Sequence, residues 1–376
     1  MKIELGLRAG IALPLLATLI VGMSILAVFN YIMQLSALKE EEKRSIEMAV
    51  NTAQVFLDTS TFHYQQMAAL VSKLPDVQEA VSRRDRSRLI DKFLPSYTYL
   101  KENFGLAQFH FHIPPSISLL RLHDLSTYGD DISKERKTVV QVEATKKGLR
   151  GIEIGLGGAG LRGVEPIFYR GSYVGSIDFG GGFKPEVEQL KKALNAEVGV
   201  FINKDLLLAW PGLKDIKHTI GRWISLHFTG QDPKLFVSES SLKKASETKD
   251  KYYSEIVSQL GKEFIAIYVP LKDFSGKFIG FIYIIKERIL SPVKLFTILG
   301  INVIVYIVML IIIALLIGYG MNKFVINPIL SLTRATEEIS MGKVTQKVEV
   351  KDARGEIAVL AKAIERMRIT MKKLLE

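Results

Sequence analysis

The chain has 376 residues, of which 48% are hydrophobic and none is cysteine, and its formal net charge is +11. The lack of cysteine excludes disulfides, zinc-thiolate sites and thiol redox chemistry. The basic residues are scattered among acidic ones, as on a solvated surface, so we expect no nucleic-acid partner.

Two uncharged segments are long enough to cross a membrane. Residues 9–38 and residues 295–322 contain no charged side chain, and about 20 apolar residues in a helix span the hydrocarbon core. We predict transmembrane helices over 9–33 and 295–321. The first segment is longer than the apolar region of a cleaved signal peptide, so we interpret it as a permanent anchor.

The flanks of these helices predict their orientation. Lys2 precedes the first helix and Lys323 follows the second, each with further basic residues nearby. Because positive charge in short flanks marks the cytoplasmic side, we expect residues 1–8 and 322–376 to be cytoplasmic and residues 34–294 to lie outside.

The external segment begins as a helix. Residues 33–74 contain no glycine or proline, and Ile46, Val50, Ala53 and Leu57 form one apolar stripe. This spacing predicts a long amphipathic helix that continues outward from the membrane.

After this helix the period of the pattern changes. Further helices are expected over 77–93 and 185–195. Short apolar or alternating runs bounded by Gly, Pro, Asn or Asp predict strands: "LAQFHFHI", "SISLLRL", "GVEPIFY", "SYVGSIDFG", "EVGVFIN", "DLLLAW", "EFIAIYVPL" and "KFIGFIYII".

Two of the predicted hairpins resemble each other. "PIFYRGSYVGSI" and "PLKDFSGKFIGFI" share a proline that ends one strand, a glycine turn and a glycine in the middle of the next strand. We interpret them as two copies of one α+β module, with chance similarity as the alternative. Asp178 in the first copy corresponds to Tyr283 in the second.

The stretch from "QFHFHIPPSISLLRLHDL" to "GAGLRGVEPIF" resembles the distal module of double Cache sensory domains in bacterial chemoreceptors and sensor histidine kinases. The resemblance implies two tandem PAS-like Cache modules on a long N-terminal helix, an α+β fold flanked by two transmembrane helices. The distal module would cover about 75–185 and the proximal one about 186–290. The resemblance also implies a small-molecule pocket in the distal module.

That half of the segment is rich in polar side chains that suit such a pocket. Arginine binds carboxylates through two hydrogen bonds, and neutral histidine forms directed ones. Structural ion pairs that hold loops in place are the alternative for each residue. His110 and His112 alternate with phenylalanines on one strand, and Arg121 and His123 are expected to share another strand face. The candidate ligand-binding residues are His110, His112, Arg121, His123, Arg136, Glu153, Arg162 and Asp178.

Other chemistry has less support in the sequence. Paired histidines such as His110 and His112 can bind zinc, but the sequence offers no further ligand of evident geometry, so we expect no metal and no cofactor. Gly155, Gly157 and Gly160 form a GxGxxG pattern, but no helix opens there as a dinucleotide site requires, and we predict a flexible loop. No catalytic constellation is recognisable, so we expect no enzymatic activity.

The cytoplasmic segment resembles a HAMP domain. Pro328 matches the proline at its entry, Gly342 the glycine of its connector, and Glu356 with Ile357 the start of its second helix in "RGEIAVLAKAIERM", although Gly355 stands where an acid is usual. Leu360 and Ile364 continue the heptad spacing of this helix. The resemblance implies a parallel four-helix bundle and hence a homodimer.

We therefore expect a two-pass receptor of the bacterial inner (cell) membrane with both termini cytoplasmic. It would bind a small molecule, a carboxylate or an amino acid, and act through HAMP on a separate kinase or chemoreceptor-type output protein in chemotaxis or a two-component system. The alternatives are a membrane-anchored dimeric scaffold protein and a truncated receptor without output.

Overall fold

A computed structural model describes residues 2–259 and 261–375. The chain forms two compact units. The central unit is Glu40–Ser291, and the terminal unit combines Met1–Lys39 with Pro292–Glu376.

The first helix, α1, spans Lys2–Ser72 and contributes to both units. The central unit contains five further α-helices among its described residues: α2 (Pro75–Ser82), α3 (Arg86–Phe104), α4 (Lys137–Thr145), α5 (Lys184–Leu194) and α6 (Glu239–Glu247). The helix predicted over 77–93 is thus wrong in its bounds. Arg84 has a left-handed φ of 59° that ends α2, and the Asp85 side chain caps α3 by accepting a hydrogen bond from the Arg88 N–H.

The strands form two antiparallel sheets. The first sheet has the order β2-β1-β5-β4-β3 and the second the order β7-β8-β6-β11-β10-β9. The first sheet consists of β1 (Gln108–Ile113), β2 (Ile117–Arg121), β3 (Leu149–Gly155), β4 (Gly158–Tyr169) and β5 (Ser172–Gly181). The second consists of β6 (Glu197–Asn203), β7 (Thr219–Ile220), β8 (Trp223–Phe228), β9 (Tyr253–Gln259), β10 (Lys262–Lys272) and β11 (Phe278–Glu287).

Two sequence interpretations differ from this arrangement. The run "DLLLAW" is not a strand, because the Asn203 side chain accepts a hydrogen bond from the Asp205 N–H and starts a short 3-10 helix, Lys204–Leu206. The GxGxxG segment is not a flexible loop but the hairpin turn that joins β3 to β4.

The two sheets bury different faces. On the first sheet, Phe109, Phe111 and Phe179 pack with residues of α2 and α3 and with Ala68 of α1. The second sheet is apolar on both faces, and one of them is filled by aromatic rings together with Leu242 of α6. The remaining face of the first sheet carries the polar residues.

A matching pair of glycines lies in the two long hairpins. A Cβ atom added at Gly175 would lie 2.1 Å from the His112 carbonyl oxygen of β1, and one at Gly280 would lie 1.9 Å from the Phe201 carbonyl oxygen of β6. Each glycine therefore allows the same close approach of a neighbouring strand. This explains the glycine in the middle of both repeated sequence runs.

The terminal unit is helical. It contains α7 (Pro292–Met321), a π-helical segment (Asn322–Ile326), α8 (Asn327–Ser340) and α9 (Gly355–Leu375). The described residues include two helices that are long and apolar enough to cross a membrane, one near the N-terminus and one beginning at Pro292. These two helices fit a membrane-anchored protein.

The connector between α8 and α9 is held by side chains of α9. The Arg368 guanidinium donates a 2.5 Å hydrogen bond to the Val344 carbonyl, and the Glu365 carboxylate accepts one of 2.9 Å from the Val348 N–H. Gly342 has a φ of 83°, which favours glycine at the start of this connector. Leu360 of α9 remains 49% exposed within the chain.

Candidate functional site

The pairing of β1 with β5 places the polar residues of the first sheet on one face. His110 lies directly opposite Asp178, and His112 lies opposite Ser176. Because side chains alternate along a strand, these residues point away from the phenylalanine core on the other face. Residues 122–145, which we call the cover segment and which include α4, are anchored over this face by Val139 and Val142, which pack on Val164 of β4.

A buried ion-pair network joins the cover segment to the sheet. Arg136 donates from Nε to Glu153 Oε2 over 2.8 Å and from Nη2 to Asp178 Oδ2. The Glu153 carboxylate also accepts hydrogen bonds from the Thr138 N–H at 2.7 Å and from the Thr138 hydroxyl at 2.9 Å. Glu153 thus satisfies the open N-terminus of α4 from the neighbouring strand, and these contacts hold the cover segment to the sheet.

Arg121 is also engaged in holding the cover segment. Its guanidinium donates two hydrogen bonds of 2.7 Å to the Asp130 carboxylate and one of 2.9 Å to the Thr127 carbonyl. This bidentate geometry is the strongest form of an arginine–carboxylate pair. Arg121 therefore fixes the loop that follows β2.

Four candidate residues keep a buried polar atom that has no hydrogen-bond partner in the described part of the chain: His112 Nε2, His123 Nδ1, Arg162 Nε and Asp178 Oδ1. Asp178 is fully buried, His112 is 1% exposed and Arg162 is 6% exposed. An unsatisfied buried polar atom costs about 1–3 kcal/mol. Four such atoms on this face and in the segment over it make this part of the first sheet the candidate site.

The electrostatics of the cluster follow from its burial. Burial lowers the pKa of His112 to about 3 and that of His123 to about 4, and it holds the pKa of His110 well below its usual value. These histidines are therefore neutral near pH 7. Burial would raise the pKa of Asp178, but the charges of Arg136 and Arg162 lower it, so the carboxylate is ionised.

The structure places all eight predicted residues either on this face of the first sheet or in the cover segment. His123 does not share a strand face with Arg121 because β2 ends at Arg121. Its ring nevertheless lies 5.9 Å from that of His110.

Three further residues contact the predicted site residues but were not predicted from the sequence. Ser118 Oγ lies 2.8 Å from His110 Nε2, Ser176 Oγ lies 3.0 Å from His112 Nδ1, and Thr138 binds Glu153. Ser176 precedes Asp178 by two residues, so strand alternation alone would have placed it on the same face. Thr138 gives no comparable signal in the sequence.

The corresponding face of the second sheet carries aromatic side chains. Tyr283, which lies opposite Gly199, stacks on Phe201 with ring centroids 4.3 Å apart and lies 3.2 Å from the Ser225 hydroxyl. A Cβ at Gly199 would overlap the tyrosine ring. Aromatic rings therefore occupy the space that charged and imidazole groups occupy on the first sheet.

Comparison with protein families gives two matches. The family model described as the double sensory domain of two-component sensor kinases matches residues 39–288, which is two thirds of the chain. The chain belongs to this family. A HAMP domain model matches residues 320–373, so the double sensory domain is followed by HAMP in the same chain.

Two solved structures illustrate the weak structural similarity that the comparison found. The ligand-binding domain of the Campylobacter jejuni chemoreceptor Tlp3 in complex with L-valine is 12% identical, with a TM-score of 0.39 and coverage of 67% of this chain and 93% of that one. The Vibrio cholerae histidine kinase DctB sensor domain is 11% identical, with a TM-score of 0.42 and coverage of 68% and 98%. None of the curated proteins matches the chain.

Proposed function

We propose that the protein is a transmembrane receptor that binds a small molecule outside the membrane and transmits a conformational signal through its HAMP domain to a cytoplasmic partner. In this proposal the first sheet is the distal Cache module and the second sheet the proximal one. The observation that carries it is the set of unpartnered buried groups on the polar face of a double sensory domain that is joined to HAMP.

The proposed ligand is an organic acid or an amino acid. Arg162 is a buried cation whose Nε is unpartnered, and Asp178 is a buried anion whose Oδ1 is unpartnered. A carboxylate would neutralise the former and an ammonium group the latter, while neutral His112 would direct a hydrogen bond. Glu153 and Arg121 serve to hold the cover segment over the ligand.

A thermal-shift screen of the full chain in detergent, with a chelator present, tests the ligand class. A ligand from a panel of organic acids, amino acids and amines is expected to add about 2.7 kcal/mol of stability at 100 times its dissociation constant. Arg162→Gln should abolish the shift produced by acids. Arg150→Gln, on the opposite face of the same hairpin and paired with exposed Asp58, should retain it.

A panel without any stabilising member would refute the small-molecule assignment. A full shift in Arg162→Gln would instead refute the role of Arg162. This screen is therefore the direct test of the ligand class for this chain.

Transmission through HAMP predicts a ligand-dependent change of helix packing in a homodimer. The chain has no cysteine, so single cysteines at Leu360 or Ile364 would be the only thiols. These positions lie on the heptad seam of α9, and we expect their disulfide cross-linking between two copies to change by about 5-fold or more with ligand, since coupling energies are about 1–3 kcal/mol. Lys362→Cys, on the exposed side of α9, is the control.

The second candidate function is a membrane-anchored scaffold protein that HAMP dimerises. The exposure of Leu360 and Met367 on the seam of α9 suits dimerisation without requiring signalling. Cross-linking at Leu360 that is strong but identical with and without a stabilising ligand would favour this candidate.

A further inference from the structure

We propose that His110, His112 and Asp178 form a binding site for a divalent transition-metal ion, with Zn²⁺ as the best match. This site shares His112 and Asp178 with the organic ligand proposed above, so the two are alternative occupants of one face, and the test of zinc binding does not require the organic ligand. It also differs from the sequence expectation of no metal, because the third ligand comes from β5, 66 residues beyond His112 in the chain.

The three side chains converge through the register of the first sheet. His110 faces Asp178 across the β1–β5 pair, and His112 follows on the same face. One ligand atom from each residue lies within 4.8 Å of the other two, and the two imidazole centroids are 4.1 Å apart. Ligands of a tetrahedral zinc ion lie about 3.4 Å apart, given metal–ligand distances of about 2.0–2.2 Å. The ligand atoms would therefore have to move closer together when the ion binds.

The hydrogen bonds of His112 leave one of its ring nitrogens free to bind a metal. His112 Nδ1 lies 3.0 Å from Ser176 Oγ, and His112 Nε2 has no partner in the described residues. With the proton on Nδ1 donated to the serine, the Nε2 lone pair is available to a metal. This is the usual arrangement for a metal-binding histidine, whose other nitrogen is held by a second group.

Asp178 is prepared in the same way. Its Oδ2 accepts the hydrogen bond of Arg136, while Oδ1 is buried and unpartnered. A carboxylate that ligates a metal through one oxygen commonly accepts an outer hydrogen bond on the other. Arg136 can thus remain in place when the ion binds.

The charge of the cluster determines the kind of occupant. Arg136 and Arg162 balance Asp178 and Glu153, so a divalent ion adds two positive charges to a buried site. Three protein ligands leave a fourth position open, and this excess charge favours an anion there, such as hydroxide or chloride. Two imidazoles and one carboxylate are ligands that suit zinc rather than calcium or magnesium.

The test is zinc binding by the full chain in detergent, stripped with a chelator and titrated with Zn²⁺ against a chromophoric competitor. We expect one tight equivalent per chain and a loss of affinity of about 100-fold or more in His112→Ala, since even outer partners of a ligand contribute about 10–100-fold. His123→Ala, near His110 but outside the ligand set, should bind as the wild type does. Arg162→Gln removes a positive charge but no metal ligand and should also retain zinc, which distinguishes zinc binding from the proposed binding of an organic acid.

Two half-buried histidines outside the proposed site need their own control. His218 Nδ1 lies 3.4 Å from Asp232 Oδ1, and His227 Nε2 lies 2.9 Å from Glu188 Oε1. Each pair could therefore bind zinc weakly. The double variant His218→Ala/His227→Ala should keep the tight equivalent. Loss of it there, or the absence of a tight equivalent in the wild type, would overturn the proposal.

X-ray absorption of the zinc-loaded wild type keeps the test independent of how His112→Ala folds. The proposed site places two imidazoles around the ion. A single imidazole, as in the pair of His218 or of His227, would overturn the assignment.

Discussion

Replacing Arg136 with alanine is expected to destabilise the central unit by about 3–5 kcal/mol, because removing one partner of a buried ion pair leaves the other charge uncompensated. Here two carboxylates lose their partner. Asp178 is fully buried and Glu153 is 3% exposed, and the charge of Arg136 is what chiefly opposes the effect of burial on the pKa of Asp178. The measurement is chemical or thermal unfolding of the full chain in detergent.

A surface pair provides the matched control. Arg150 and Asp58 also form an arginine–carboxylate contact, at 2.9 Å, but the Asp58 side chain is 68% exposed. Exposed pairs contribute about 0–1 kcal/mol, so Arg150→Ala should change stability little. Combining Arg136→Met with Asp178→Asn should recover part of the loss by removing a stranded charge. Equal effects of Arg136→Ala and Arg150→Ala would contradict the buried network.

The polar face itself was predictable from the sequence because strands have a period of two. His110 and His112 alternate with phenylalanines that need a core, so both histidines had to face the other side. The same rule separates Asp178 from Ile177 and Phe179. Local pattern therefore placed His110, His112 and Asp178 on the face away from the phenylalanine core.

The partners of these residues were not predictable, since they depend on pairing between distant segments. The register that sets His110 opposite Asp178 joins strands about 70 residues apart, and alternation gives the face but not the register. The cover segment has no periodic pattern. Its shape comes from local turns, such as the Asp131 side chain accepting from the Ser133 N–H. Hence only the structure shows that Glu153 is occupied by Arg136 and Thr138 while Asp178 keeps one unpartnered oxygen.

Glycines within the strands indicate close approach of a neighbouring backbone, and the prediction from the sequence used only some of them. The repeated glycines, Gly175 and Gly280, marked the hairpins, and the structure explains both by close approach to a neighbouring carbonyl. No role was predicted for Gly163 of β4, although it allows a similar close approach of β4 to the α1 backbone. A Cβ added there would lie 2.1 Å from the Gln65 nitrogen and 2.4 Å from the Tyr64 carbonyl carbon.

Gly163→Ala is accordingly expected to be among the most disruptive small substitutions in the chain. The obstructing atoms are helix backbone, which cannot rotate aside as a side chain can, so the sheet and α1 must move apart. Forcing an extra methyl group into a packed interior costs about 1–3 kcal/mol and occasionally more, and we expect the upper end here. The shift would also disturb the 2.8 Å hydrogen bond from Gln65 Nε2 to Glu165. Thermal unfolding of the full chain measures the loss.

Gly182→Ala is the matched control for this substitution. It adds the same methyl group just after β5, at a position where no atom lies within 4 Å of the new Cβ. Its effect should stay below about 1 kcal/mol, and it can be stabilising because alanine restricts the unfolded chain. If Gly163→Ala unfolded at the same temperature as Gly182→Ala, then β4 would not lie against the α1 backbone at this point. The close contact of the first sheet with α1 would be refuted, and with it the view that this helix supports the face on which His110 and Asp178 meet.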